Sequence, residues 1–401
     1  MSAAHHPAEQ TIPTLDELAR STAKLTPILA ARGGEGDASG RIADDLIEQI
    51  AEAGVFKTTQ PIAFGGYGYT GAASCVVTEQ IARGDGSAAW VVFNLLAGGW
   101  TVGVMSNALR EEVWGKDANA RVCTVQAPRG QARKVPGGYR LSGKWAFASG
   151  CLHAQWTTLG GVVLGDDGTM QGVNVFVVPM QDLQIHVDWD VGGFRGTGSN
   201  TLILKDVFVP EHRTGQLMQM VQGINPFDGE RPATPYYNTG LSSLFTVGIF
   251  GTILGLGEAV IDAFAATLPG REVAYSQGTQ AESEIVQLHL ARLRLALHSM
   301  RQLSAERNKI VDDTALAGTP LAFEEKSLLR ASVSYAARLV LEEAQHIMAD
   351  AGGRGLAEAG RLPRILRDLQ ALNNHGLVNP FQVLAAYGAT TLGLTPKMML
   401  G

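Results

Sequence analysis

The 401-residue chain is poor in cysteine: Cys75, Cys123 and Cys151 lie far apart, with no Cys-x-x-Cys pair and no Cys/His grouping at metal spacing. That excludes a disulfide scaffold and a structural zinc site, and reads as reduced, buried thiols of a cytoplasmic protein. The formal charge of −6 is mild and no lysine or arginine run occurs, so the electrostatic footprint of nucleic-acid binding is missing. No paired cationic and apolar blocks mark a signal peptide, and His5 and His6 are too isolated for a metal site. The nearly uncharged run over 241–257 falls short of the roughly 20 residues a membrane span needs, and Glu258 and Asp262 follow it on helical spacing. It reads as a buried helix, so no membrane partner is expected. Gly248, Gly251 and Gly255 recur along it at steps of three and four, a smooth strip that lets a neighbouring helix come close. No dinucleotide fingerprint follows a strand, so the chain carries no nicotinamide-dependent reductase of its own.

What is present divides into three. Helical periodicity runs over 15–31, 42–53, 72–81, 88–104 and 107–114. From Arg121 to Pro210 the pattern changes to short β-branched and aromatic runs separated by glycine, aspartate or proline, as in an antiparallel barrel or sandwich. Helical periodicity resumes over 241–266, 283–312, 320–349, 364–374 and 380–392. The expected architecture is α+β: an N-terminal helical domain (1–118), a central β domain (119–220) and a C-terminal helical bundle (221–401).

Two turns stand out within the β region, GKWAFASG (143–150) and GGFRGTGSN (192–200). Their glycines let backbone approach a flat ligand, and Ser149, Thr197 and Ser199 offer hydroxyls for its polar rim. These residues suit the walls of a flavin site.

The order of these pieces resembles the acyl-CoA dehydrogenase fold over nearly the whole chain. The matching segments are the FGGYG loop, the GGYRLSGKW hairpin, the FRGTGSN turn with KDVFVPEH after it, and RLPRILRD near the C-terminus. The resemblance implies a flavin between the β module and the C-terminal bundle, and a homotetramer. It also implies a carboxylate base for acyl-CoA dehydrogenation, since removal of the α-proton accompanies hydride transfer. That glutamate lies nine residues beyond the arginine of an Arg-Asp pair; from Arg367, the place holds Gly376. A minority of members carry it on the first bundle helix, where this chain has Phe245. Neither residue accepts a proton.

His375, beside the vacant position, and the FASG and RGTGS forms of the two turns are similar to the two-component flavin-dependent monooxygenases of this fold. Those enzymes take reduced flavin from a separate NAD(P)H:flavin reductase, form a C4a-hydroperoxyflavin with O2 and oxidise a small molecule. The resemblance places Ser149 at flavin N5 and Thr124 and Gln126 at the pyrimidine end. It makes Trp145 and Phe147 apolar walls, and Arg195, Thr197 and Ser199 the closing turn. His375 and Ser149 are the expected catalytic residues, with FMNH2 favoured and FAD possible. In phenol-hydroxylating relatives a histidine lies eight residues after the position of Trp90; this chain has Gly98. Asn94, Gly98, Trp100 and Phe245 are the expected pocket residues, with Gly98 and Gly99 opening space for an aromatic, polycyclic or heteroatom-bearing substrate. The alternatives are an acyl-CoA oxidoreductase with a relocated base and a non-catalytic assembly protein of the same fold.

Overall fold

The computed structural model describes residues 12–396, apart from 225–226, 228–229, 231, 233, 273–277 and 358–359. Among the described residues six α-helices lead: α1 (Leu15–Ala23), α2 (Thr26–Ser39), α3 (Asp44–Glu52), α4 (Ala72–Gly84), α5 (Gly86–Gly103) and α6 (Asn107–Trp114). The first opens on a capping box, with Thr14 accepting the Glu17 N–H and the Glu17 carboxylate taking the Thr14 N–H. The single helix expected over 15–31 is two, because Pro27 lacks an N–H and fits a first helical turn rather than a helix interior. Every residue of α5 is buried, as expected for a helix apolar on all sides.

Seven strands follow: β1 (Val122–Val135), β2 (Gly138–Trp145), β3 (Trp156–Leu164), β4 (Met170–Pro179), β5 (Gln184–His186), β6 (Thr201–Pro210) and β7 (Thr214–Gln216). They form one sheet in the order β5-β6-β2-β1-β3-β4-β7. The all-antiparallel expectation needs one correction, because β1 and β3 run parallel. After the β1–β2 hairpin the chain crosses to the other side of β1, so β3 arrives in the direction of β1. That crossing, residues 146–155, carries the FASG turn.

The remaining helices are α7 (Leu217–Gln222), α8 (Leu241–Ala265), α9 (Glu284–Ala317), α10 (Phe323–Asp350), α11 (Arg361–Asn374) and α12 (Pro380–Thr391). By length and composition α8 could cross a membrane, yet most of it is buried inside the fold. Its glycine strip meets α4: a Cβ on Gly251 would lie 2.1 Å from the Cys75 carbonyl oxygen, and one on Gly255 2.2 Å from that of Glu79. Cys75, Cys123 and Cys151 are free and buried, and loss of water pushes their thiols up to about 11, about 12 and about 11.

Candidate active site

The site is built where the crossing turn, the turn before β6, α5 and the end of α11 meet. Phe147 takes φ 65° in the crossing turn and remains 68% exposed, its ring 5.8 Å edge-on from Trp189. Phe194, before the RGTGS turn, takes φ 52° and is buried. Left-handed backbone is costly for aromatic residues and persists only where surrounding structure enforces it. At Phe194 the enforcement is visible: its N–H donates to Asp368 Oδ1 on α11 at 2.6 Å. Burial, with Asp85 beside it, pushes the Asp368 carboxyl up to about 8.

Phe194 stacks on Trp90 of α5, ring centres 5.2 Å apart and planes within 21°. Trp90 also meets Phe93 at 5.2 Å, and Phe93 meets Phe245 of α8 edge-on at 5.6 Å. The Trp90 indole N–H donates to Ser149 Oγ at 3.2 Å. Ser149 Oγ lies 2.7 Å from Ser199 Oγ, which lies 2.6 Å from Thr197 Oγ1, and Thr197 donates to the Phe194 carbonyl at 2.8 Å. The three hydroxyls are buried and form one chain behind the aromatic wall.

His375 is the C-cap of α11, and its ring lies 5.0 Å edge-on from Trp90. Its Nδ1 accepts the Leu377 N–H at 3.3 Å, which places the ring proton on Nε2 in the neutral form. The residue is open to solvent, with protein crowded around its ring. This crowding, and secondly the Arg330 cation, pull the imidazole down to about 4. Arg330 donates to the carbonyls of Gly376 and Leu377, holding the segment after the helix in place. His375 therefore offers a neutral N–H donor at physiological pH.

Both expected base positions lack a carboxylate. A Cβ on Gly376 would meet nothing within 4 Å, so there is room for a longer side chain and none is there. Phe245 is engaged in aromatic packing. Asp368 is buried behind Phe194 with an oxygen committed to its N–H, out of reach of a substrate.

A second polar group lies between α5 and β1. Gln126 Nε2 donates to Thr124 Oγ1 and Thr101 Oγ1 at 3.1 and 3.2 Å, and Thr158 donates to Thr124 at 2.7 Å. Gln126 Oε1 is buried without a partner. An unsatisfied buried acceptor calls for a donor. The imide N–H of a flavin pyrimidine supplies one, so these residues fit that group.

Three expected pocket or wall residues are corrected. Gly98 opens no space: a Cβ there would lie 2.0 Å from the Val122 carbonyl oxygen, so this glycine lets α5 rest on β1. Trp100 is buried against the segment before α8, its N–H on the Tyr236 carbonyl. Trp145 points into the sheet core, its N–H 2.7 Å from the Gly160 carbonyl, because strand alternation turns it inward. Asn94 returns its amide to the Trp90 carbonyl one helical turn back. Arg195 reaches the carbonyls of Asp37 and Val191, tying the turn to α2. Phe93, Phe194, Asp368 and Arg330, and Trp90 as more than a landmark, were missed by sequence reasoning. The i, i+3 spacing of Trp90 and Phe93 was the available signal.

Residues 17–113 match the family model described as acyl-CoA dehydrogenase, N-terminal domain, and residues 247–380 match acyl-CoA dehydrogenase, C-terminal domain. The chain is 32% identical over 378 residues to the flavin-dependent monooxygenase oxygenase subunit HsaA of Rhodococcus jostii, covering 92% of this chain and 97% of that protein. It is 29% identical to the oxygenase component of FADH2-dependent resorcinol hydroxylase from a Rhizobium species, covering 99% and 98%. The solved structure of XiaF from a Streptomyces species, in complex with FADH2 and glycerol, superposes with a TM-score of 0.89 at 27% identity, covering 96% and 98%. The chain belongs to the acyl-CoA dehydrogenase fold family, in its branch of flavin-dependent monooxygenase oxygenase subunits.

Proposed function

We propose that the site between the crossing turn and the end of α11 holds reduced flavin delivered by a separate NAD(P)H:flavin reductase. There the protein hydroxylates an aromatic small molecule. The observation that carries this reading is the pairing of Ser149 and neutral His375 on one tryptophan, Trp90, with no carboxylate at either dehydrogenase base position.

Reduced flavin, when bound, supplies the two electrons that let one atom of O2 enter the substrate while the other leaves as water. Ser149 would hold the N5 edge of the ring, and Gln126 and Thr124 the pyrimidine rim. His375 donates its Nε2 hydrogen to an oxygen without titrating near neutral pH. Trp90, Phe93, Phe194 and Phe245 would give that oxygen apolar surroundings, which strengthens each donor. Neither Gly98 nor Gly99 opens space for a bulky substrate, since a Cβ on Gly99 would lie 2.8 Å from Thr59 Oγ1, and the aromatic wall supports an aromatic one.

All of these groups attend the ring, so none selects the nucleotide. Both relatives above whose descriptions state a flavin state FADH2, which moves the preference from FMNH2 to FADH2. Exposed Ile285, Leu288 and Leu295 on α9 and Phe381 on α12 supply apolar faces for a homotetramer. The buried free thiols suit a cytoplasmic setting.

The test is product formed per O2 consumed, with a supplied reductase and a panel of phenols. Ser149→Ala and His375→Ala should each lower that ratio by roughly 10- to 1,000-fold, the lost oxygen appearing as hydrogen peroxide. Unchanged coupling in both variants, or reduction of the bound oxidised flavin by an acyl-CoA, overturns the reading.

A further inference from the structure

The hydroxyl chain behind the aromatic wall has a fixed direction. The Phe194 carbonyl carries no proton, so Thr197 must spend its only hydroxyl proton there, across 2.8 Å. The 2.6 Å bond between Thr197 and Ser199 must then use the proton of Ser199. With that proton spent, the 2.7 Å bond between Ser199 and Ser149 must use the proton of Ser149. The indole N–H of Trp90 can only donate, and it occupies one lone pair of Ser149. Every proton runs from Trp90 towards the Phe194 carbonyl. Ser149 is left with one free lone pair and no free proton.

We propose that Ser199 and Thr197 are positioning residues that act through Ser149, their bonds fixing its proton so that oxidised flavin is disfavoured at N5 relative to reduced flavin. The inference rests on the flavin reading above, with N5 at Ser149. Ser149 would accept the N5 hydrogen that reduced flavin carries, through its remaining lone pair. Oxidised flavin has only a lone pair on N5, and two lone pairs repel. To donate to oxidised N5, Ser149 must withdraw its proton from Ser199, leaving a buried hydroxyl one bond short. A missing buried hydrogen bond corresponds to roughly 5- to 150-fold in binding. The chain ends on a carbonyl, so it orients protons and does not pass them to solvent.

Anaerobic titration of the full-length protein with FADH2 and FAD, and with FMNH2 and FMN, gives the ratio of dissociation constants without turnover. Ser199→Ala frees the Ser149 proton, and Thr197→Val frees it one step further along. Each should cut the preference for reduced flavin by roughly 5- to 150-fold. For a two-electron couple at 29.6 mV per tenfold, the bound-flavin midpoint falls by about 20–65 mV. Thr197→Ser keeps both the proton and the acceptor and should retain the wild-type ratio. A ratio unchanged in both Ser199→Ala and Thr197→Val, with flavin still bound, overturns this proposal and spares the flavin site. A fall of equal size in Thr197→Ser also overturns it, since general loosening then explains the loss. Wild-type protein that binds neither oxidation state overturns both readings.

Discussion

The seam between α4 and α8 and the wall around Ser149 solve crowding in opposite ways. In the seam, side chains are removed: Gly251 and Gly255 leave no room for even a methyl group, and the two backbones touch. In the wall, side chains are kept although the backbone is unfavourable for them, with Phe147 and Phe194 at φ 65° and 52°. Glycine in the wall has the contrary meaning, since Gly376 faces open space. Packing tolerates no strain because its function is closeness alone. A site retains strain where a ring must stand in a particular place.

The largest effect that would break this contrast is expected in the seam. Gly251→Val should lower stability by at least about 3 kcal/mol in thermal or denaturant unfolding, because a backbone carbonyl cannot yield as a side chain can. Gly98→His belongs with it and should unfold the contact of α5 with β1 rather than install a base. Stability near wild type in both variants would show that the close approaches relax freely.

Phe147→Gly tests the wall. The exposed ring contributes little burial, so relief of its left-handed backbone should raise stability by roughly 1 kcal/mol while product per O2 falls. A loss of stability would mean that the ring is a packing element like any other.

The pH dependence separates two titrating groups of the site, buried Asp368 and solvent-open His375. The Asp368 carboxyl, raised to about 8, is protonated in the folded protein and ionised in the unfolded chain above about 4. Stability therefore declines as pH rises from about 4 to 8, and Asp368→Asn should flatten that slope. The imidazole of His375, lowered to about 4, has the opposite sign: its contribution is lost as pH falls from about 6.5 to 4. Coupling of product to O2 should accordingly show no histidine limb between pH 6 and 8.

The smallest effect is expected at the vacant base position. Gly376→Ala should change stability by no more than about 0.5 kcal/mol, since the added methyl group meets nothing. A larger loss would show that the opening there is filled in solution.

Much of the fold was legible because periodicity is local. The helices at 107–114 and 241–265 lie where the pattern put them, and the change at Arg121 to short alternating runs marked the sheet. The parallel pairing of β1 with β3 was not legible, because strand direction depends on which side of β1 the crossing turn emerges. The extension of α2 through Gly33 and Gly36 was hidden for a related reason. Those glycines are poor helix formers tolerated for closeness, one to Arg364 and Asp85 and the other to the Arg41 backbone. At the candidate site, Ser149, Thr197 and Ser199 stood out as hydroxyls of two turns, and folding brings those hydroxyls together, whereas Gly98 and Trp145 were expected at a pocket and lie in packing contacts. Glycine looks alike in sequence whether it opens a space or fills one, and a tryptophan near a turn can face either side of its strand.

By itself the sequence determined the three-part order of elements, the hydroxyl-bearing turns, and the absence of a carboxylate at 245 and 376. These are facts of composition and local pattern that no packing can alter. The tertiary structure decided which way each proton in the site points. The ring proton of His375 is placed by the Leu377 N–H, and the hydroxyl protons are placed by the Phe194 carbonyl and the Trp90 indole. A hydroxyl or imidazole can donate or accept with equal ease, so its role is fixed only when folding sets beside it a partner that can do just one of the two.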